Sequence, residues 1–388
     1  MITRVEASNY RCLRSVGVTL SPFQILVGPN GSGKSAFMDV LAFIRDLATW
    51  TVTRAVKVRT DNFHDLVYGR DESRFTLAIE AELPEAKVIE GEPDSYTRLR
   101  YEVSVRLDVA SESPLVEGEK VILFDPRHAK TWPLADREHT KVELKYGDAS
   151  RRGFVGDIPP FDSVIGFFPT GPKEFPTLRW FADLIREGIR SVRLTTRDLH
   201  EPSTAQREKA STLTGANLAR LVFELREKSP DSFKAWVRHL QTALPDLDTV
   251  RTVLLEQQKA RYLELQYQNG LPIPARVVSD GTLCLLALTI LAYLPNAKLV
   301  YLIEEPENAV HPTAVDTIYQ SLSSLYDGQV LMASHSPILL GLAKKEQLLC
   351  FSRAAGATQI VPGKEHPGLQ EWKGEVSLSD LFAGGILG

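Results

Sequence analysis

Cysteine is scarce in this sequence: Cys12, Cys284 and Cys350 are the only three. They lie far apart, without a Cys-x-x-Cys spacing or a Cys/His cluster. That excludes a disulfide framework and a zinc site and makes a reducing cytoplasm the expected compartment. Long hydrophobic runs are absent too. The longest, Leu283–Leu294, is too short to span a bilayer and reads as a buried helix. Met1-Ile-Thr-Arg-Val-Glu6 already mixes charges, so no signal peptide is read at the start, and any membrane association would need a partner. Charge of one sign does not dominate: 45 Lys and Arg against 49 Asp and Glu leave a net −4. This argues against a generally basic nucleic-acid binder while leaving room for a local basic patch. The sequence also lacks internal repeats, low-complexity linkers and a sustained heptad pattern, so no long coiled-coil arm is expected.

What is present is ordinary globular composition: 388 residues, 43% apolar and 24% charged, enough for two or three domains. One stretch organises it. The apolar run Ile25-Leu26-Val27 reads as a buried strand, Gly28-Pro29-Asn30-Gly31-Ser32-Gly33-Lys34-Ser35 follows, and Ala36 onward starts a helix. This is the G-x-x-x-x-G-K-[ST] phosphate loop in its strand–loop–helix setting. Its glycines let several N–H groups face one anion, and the helix N-terminus adds a positive dipole end. Lys34 can reach the β- and γ-phosphates, and the Ser35 hydroxyl can ligate Mg²⁺. The stretch therefore predicts nucleoside triphosphate binding.

Around the loop, alternation predicts strands at 2–8 and 14–20, joined by a turn at Asn9–Cys12, and amphipathic spacing predicts a helix over 34–49. Further strands are read at Phe75–Leu83, Leu99–Leu107, Lys120–Phe124 and Val142–Tyr146, with a turn at Gly91-Glu-Pro93, giving antiparallel sheet. From about Pro176 the period becomes helical, with three helices ending before Pro245, and two strands return at Thr252–Glu256 and Tyr262–Gln266. The last third alternates helix and strand: Thr282–Leu294, Leu299–Ile303, Pro312–Leu325, Val330–Ala333 and Pro337–Leu342. The fold class expected is α/β, with a parallel sheet covered by helices. The divisions expected are 1–165, a helical insertion at 166–247, and 248–388.

The second half of a nucleotide site is read at Leu299-Val-Tyr-Leu-Ile-Glu-Glu-Pro-Glu307, an apolar central strand with carboxylates at its end. Glu304 takes the position of the metal-associated acid, and Glu305 is the candidate general base for water. A further strand ends in His335, which can contact a γ-phosphate and stabilise transferring charge. Ser279 and Asp280 cap the next helix, with Gly281 permitting close backbone approach.

Together these residues resemble the ABC-type ATPase heads of the SMC, RecF and OLD group, AAA-like ATPases often found in anti-phage systems. Tyr10-Arg11-Cys12-Leu13 looks like the group's aromatic-Arg turn near the nucleotide. Gly28–Ser35 is similar to Walker A, Leu299–Glu305 to Walker B, Ser279–Thr282 to the signature and Ala333–Pro337 to the histidine switch. Glu307–Pro312 looks like the D-loop stretch. The resemblance implies a P-loop NTPase head that binds ATP and forms a homodimer sandwiching ATP, with Ser279 and Gly281 facing the γ-phosphate held by Lys34 of the other subunit. Two departures stand out: no glutamine occurs between Gln24 and Gln206 to serve as a Q-loop, and Asp280 replaces the usual signature glycine. About 50 residues follow His335, without an Asp-x-Asp pair. If nucleic acid is cut, a separate effector is expected to cut it.

The function implied is an ATP-hydrolysing dimerisation switch in phage defence or DNA repair, with DNA a possible ligand. A transporter ATPase subunit is the alternative, opposed by the missing glutamine and by about 240 residues between phosphate loop and signature. A non-hydrolysing nucleotide scaffold is another, opposed by Glu305 and His335. No Asn-Lys-x-Asp motif supports a GTPase. Arg186, Arg190, Arg193 and Arg197 would share a face if their helix continued, but Glu187 and Asp198 balance them, as on a solvated surface.

Overall fold

The computed structural model describes the chain apart from residues 71, 85–95, 128–129, 146–152, 168–174, 205–211, 269, 296–297, 309, 371, 373–376, 386 and 388. The turn read at Gly91–Pro93 and the end of the strand read to Tyr146 lie outside the described residues. Two compact units result. One comprises Met1–Pro22, Pro29–Ile189 and Phe351–Ile360; the other comprises Phe23–Gly28, Arg190–Cys350 and Val361–Gly388.

The strands and helices of the first half are β1 (Ile2–Tyr10), β2 (Leu13–Thr19), β3 (Phe23–Val27), α1 (Lys34–Thr49), α2 (Val52–Lys57), β4 (Arg74–Glu82), β5 (Arg98–Asp108), β6 (Ser113–Asp125), β7 (Lys130–Glu138), β8 (Lys141–Leu144), β9 (Phe154–Asp157), α3 (Val164–Phe167) and α4 (Pro176–Gly188). In the first unit an antiparallel sheet runs β2-β1-β4-β5-β6-β7-β8-β9. Its inward positions alternate as the pleat requires: Leu99, Tyr101, Val103 and Val105 of β5 are buried while the residues between them are partly exposed. Against it packs α1, whose Phe37, Val40, Leu41, Phe43, Ile44 and Leu47 are fully buried. Tyr10, Phe43, Phe63 and Phe75 form an edge-to-face and stacked aromatic cluster at the join.

A charged pair lies inside this unit. Arg137 of β7 and Glu119 of β6 meet at 2.8 Å with both side chains fully buried. Tyr101 donates to the same carboxylate at 2.6 Å, as does the Val164 N–H at 2.8 Å. Arg137 also donates to the carbonyls of His139, Asp162 and Pro159. Burial drives the Glu119 pKa up, and Arg137 and the hydrogen bonds only partly oppose it.

The second unit is built on β3 together with β10 (Ile189–Val192), α5 (Thr196–His200), β11 (Ser203–Thr204), β12 (Thr212–Leu213), α6 (Leu218–Lys228), α7 (Pro230–Leu240), β13 (Leu247–Leu255), β14 (Ala260–Tyr267), β15 (Ile273–Pro274), α8 (Asp280–Thr289), β16 (Val300–Glu304), α9 (Pro312–Ser323), β17 (Gln329–Ala333), α10 (Pro337–Leu342) and β18 (Leu348–Ala354). The sheet order here is β12-β10-β16-β17-β3-β18. β16 pairs β17 in parallel, β17 pairs β3, and Leu348–Cys350 of β18 pair the other side of β3. All five residues of β3 are buried, as a central strand demands, and the buried Gln24 amide is satisfied by the Gln347 carbonyl at 2.9 Å. α8 is buried along Leu283–Thr289, and its Thr289 hydroxyl accepts the indole N–H of Trp236 of α7 at 2.9 Å. The remainder of β18, then β19 (Ala357–Pro362), α11 (Pro367–Gln370) and α12 (Leu378–Ala383), complete the chain.

The helix of 34–49 and the helix starting at Pro337 match their predicted spans. The helix predicted to run to Leu294 stops as α-helix at Thr289 and ends in a 3₁₀ turn over Ile290–Ala292. α4 stops at Gly188, and Arg190 lies in β10, so the four arginines of 186–197 do not form one helix face. Among the described residues, no helix is long and apolar enough to cross a membrane.

Arg137→Met strands the buried Glu119 carboxylate and is expected to destabilise the fold by roughly 3–5 kcal/mol. Arg137→Met combined with Glu119→Leu should recover part of that loss. Urea unfolding of the two variants against the parent decides it: equal losses would mean the pair is not coupled.

Candidate functional site

In the first unit, the phosphate loop curls through glycines in the left-handed region, Gly31 at φ 75° and Gly33 at φ 106°. Gly33 is also the N-cap of α1; no side chain caps that helix and no acidic residue sits in its first turn. The positive end of the dipole of this 16-residue helix therefore has neither a capping side chain nor a first-turn carboxylate on it. The buried Lys34 donates its Nζ to the Pro29 carbonyl at 2.9 Å, folding back along the loop. Asn30, Gly31 and Ser35 are exposed. Ser32 is buried, and its hydroxyl has no partner among the described residues.

Two distant segments touch the loop. Thr358 of β19 donates its hydroxyl to the Ser32 carbonyl at 2.9 Å, and its N–H donates to the Cys12 carbonyl at 3.1 Å. A Cβ on Gly33 would collide with the Thr358 side chain and crowd the Cys12 thiol. Neither contact was read from the sequence. Arg11, expected beside the nucleotide, lies in a left-handed turn at φ 53° and pairs with Asp39 of α1 at 2.8 Å. Asp39 also accepts from the Tyr10 hydroxyl at 2.6 Å and from Arg59 at 2.8 Å, while Arg59 reaches Asp46 at 2.9 Å. Burial and the Asp39 charge push the Tyr10 pKa up, holding the phenol as a donor. Burial works against the Arg59 charge, but Asp39, Tyr10 and Asp46 outweigh it and raise its pKa. The turn and the start of α1 are thus tied by ionic hydrogen bonds.

In the second unit, parallel pairing puts the ends of three strands at one edge of the sheet. Glu304 stands opposite Ala333, and Ala333 opposite Leu26, so Glu304, Glu305, His335 and Gly28 follow one another around the carboxyl ends of β16, β17 and β3. Glu305 occupies the left-handed region at φ 48°, its N–H bound to the Ala333 carbonyl at 2.8 Å and its carboxylate held by Asn308 Nδ2 at 2.6 Å. Glu307 accepts from the Ser334 hydroxyl at 2.6 Å and the His335 N–H at 3.0 Å, fixing the strand end that carries the histidine.

The signature stretch divides between two clefts of this unit. Ser279 caps α8 by accepting from the Thr282 N–H at 3.3 Å. With Gly281, Thr282, His311 and Thr313 it lines a cleft of about 600 Å³. Asp280 instead lines a cleft of about 380 Å³ with Arg193, Thr196, Cys284, Glu304 and Glu305. The segment after β10 touches both motifs there: Arg193 approaches Glu304 at 3.5 Å, and Thr196 and His200 bond the Asp280 carboxylate at 3.0 and 2.6 Å. These bonds hold the Asp280 pKa below the usual carboxylate range, His200 contributing most. Burial and then the Asp280 charge push the Cys284 thiol up to about 11.

A family model described as "AAA domain, putative AbiEii toxin, Type IV TA system" matches residues 23–341. The chain belongs to this AAA family. An OLD nuclease from Thermus scotoductus is 23% identical over 370 residues, 90% of this chain and 61% of that protein. The chain thus spans about three fifths of the length of that relative. Structural maintenance of chromosomes protein 4 of Mus musculus is 29% identical over 99 residues, 25% of this chain and 7% of that protein. Among solved structures, an Smc head bound to the C-winged helix domain of ScpA superposes with a TM-score of 0.56 at 15% identity, covering 93% of this chain and 96% of that one. An Smc head domain with an extended coiled coil, bound to the C-terminal domain of ScpA derived from Pyrococcus furiosus, gives 0.56 at 14% identity, covering 93% and 95%. The AAA domain therefore has the fold of an SMC-type ATPase head, an α/β P-loop architecture with antiparallel and parallel sheets.

The loop suits a polyphosphate: left-handed glycines, the N-terminus of a helix that no side chain caps and a lysine folded along the loop are the groups an anion calls for. For Mg²⁺, the Ser35 hydroxyl and Glu304 carboxylate are hard oxygen donors. Among the described residues no cluster of three or more His, Cys, Asp or Glu could hold a metal.

His200→Ala removes the largest cause of the low Asp280 pKa, so NMR titration should show that pKa rising toward the ordinary carboxylate value. The bonds at Asp280 exist above the carboxylate range and are lost as pH falls through the lowered pKa; an unchanged titration in the variant would contradict the contact.

Proposed function

We propose that this chain is an ATP-binding and hydrolysing switch that dimerises around two ATP molecules and controls a separate effector, in phage defence or DNA repair. The observation that carries the reading is the set of strand ends: Gly28 opening the phosphate loop, with Glu304, Glu305 and His335 on adjacent parallel strands of the same sheet. In this reading Gly28 and Asn30–Ser35 cradle the phosphates, and Lys34 turns from its Pro29 carbonyl to the β- and γ-phosphates. Ser35 and Glu304 are the residues that would hold Mg²⁺, which when bound neutralises phosphate charge. Glu305 accepts a proton from the attacking water once Asn308 releases its carboxylate, and His335 donates to the γ-phosphate. Arg11 steadies the turn beside the loop. Ser279 and Gly281, in a cleft apart from Glu304 and Glu305, are free to serve a nucleotide held by a second copy.

The relatives support the class: the OLD nuclease shares 90% of this chain's length, and two of the matched heads are Smc heads bound to ScpA domains. Cutting of DNA by a partner, and binding of DNA by the dimer, follow as parts of the same proposal. The cytoplasm is the compartment it requires.

The test is Glu305→Gln with ATP and Mg²⁺. The variant is expected to lose hydrolysis by about two orders of magnitude or more and to run at twice the monomer mass in light scattering. Lys34→Ala should stay monomeric without bound nucleotide. A Glu305→Gln chain that binds ATP yet remains monomeric would sink the shared-site reading.

A further inference from the structure

Thr358 touches the phosphate loop from far along the chain. It lies on β19, more than 300 residues beyond the loop in sequence, and is 4% exposed. Its hydroxyl donates to the Ser32 carbonyl at 2.9 Å, and its own N–H is anchored on the Cys12 carbonyl at 3.1 Å. The hydroxyl is therefore held at a fixed point rather than carried on a free side chain.

The peptide between Ser32 and Gly33 is planar and trans, so its C=O and N–H point in opposite directions. Holding the Ser32 oxygen toward Thr358 turns the Gly33 N–H away from Thr358. Gly33 sits at φ 106°, where a glycine peptide can flip with little steric resistance. Without a partner on the Ser32 oxygen, the orientation of that N–H would be one of several the glycine permits. A Cβ on Gly33 would meet the Thr358 hydroxyl, so the two residues fit only as a pair. The buried Ser32 hydroxyl, without a partner among the described residues, sits on the same turn as a further donor.

We infer that Thr358 is a positioning residue for nucleotide binding: by fixing the Ser32 carbonyl it pre-orients the Gly33 N–H as a phosphate donor. This rests on the reading of the loop as the ATP site. The contribution is to binding of phosphate, not to proton transfer, because Thr358 touches backbone and not a reacting group.

The experiment compares the 388-residue chain with Thr358→Val, which keeps the shape and removes the hydroxyl, Thr358→Ser, which keeps the hydroxyl, and Thr358→Ala as a smaller truncation. Equilibrium binding of ATP, ADP and adenosine is measured for each, with KM and kcat for ATP. Thr358→Val and Thr358→Ala are expected to weaken ATP and ADP about five- to tenfold, the scale of one oriented hydrogen bond. Adenosine binding should not change, KM should rise with kcat nearly unchanged, and Thr358→Ser should restore ATP affinity. If Thr358→Val does not fold, the Ala and Ser pair decides on the same readouts. A parent chain that binds ATP while Thr358→Val and Thr358→Ala bind it equally well overturns this inference alone. So does a serine variant as weak as alanine. A parent chain that binds no nucleotide overturns the ATP reading, and the inference with it.

Discussion

Parallel pairing of β16, β17 and β3 is the constraint on which the rest depends. Hydrogen bonding fixes the three strands in one register, and one register fixes which residues emerge together at their carboxyl ends. A slip of one residue along β17 would turn every side chain of that strand to the other face and carry Ser334 and His335 away from the Glu307 carboxylate that receives them. The apolar composition of these strands therefore does more than build a core. Val300–Ile303, Val330–Ala333 and Ile25–Val27 are all buried on both sides, which leaves the sheet no alternative arrangement that keeps them dry.

The polar groups of the candidate site are held by neighbours rather than left mobile. Glu305 keeps a backbone conformation uncommon for a side chain with Cβ, sustained by the Ala333 carbonyl and by Asn308. Strain of this kind persists only where the surroundings over-determine it. In the first unit, Asp39 and Asp46 on one face of α1 gather Arg11, Arg59 and the Tyr10 hydroxyl, with Arg45 adding a bond to Asp46. Three cations against two carboxylates leave a net positive charge along the helix that follows the phosphate loop.

What could be read beforehand was whatever a local pattern encodes. α1 shows its limits in the periodicity of Phe37, Val40, Leu41 and Ile44, and the phosphate loop, Glu304-Glu305 and His335 follow from short spacings. What escaped depends on partners far along the chain. β7 carries Trp132-Pro133 and little alternation, and pairs because β6 offers it an edge. β10 is four residues that continue a helical spacing of arginines, and it is a strand because it adds to the sheet beside β16. Thr358 and His200 look like ordinary surface residues in sequence; only the fold brings one to Ser32 and the other to Asp280. Asp39 and Asp46 stand seven residues apart on one helix face, and only the fold brings Arg11 and Arg59 from other segments onto them, leaving Asp46 buried and Asp39 partly exposed.

The central position of β3 has a consequence for synthesis. Both hydrogen-bonding neighbours of this strand, β17 and β18, are made about 300 residues after it, at Gln329–Ala333 and from Leu348. On a ribosome extending at roughly 5–20 residues per second, an apolar five-residue strand stays without its native partners for some fifteen seconds or more. Pairing over such sequence separations is slow and exposes unpaired edges in the meantime. The segment that opens the phosphate loop is therefore also one that a nascent chain must keep from pairing elsewhere while the rest is made.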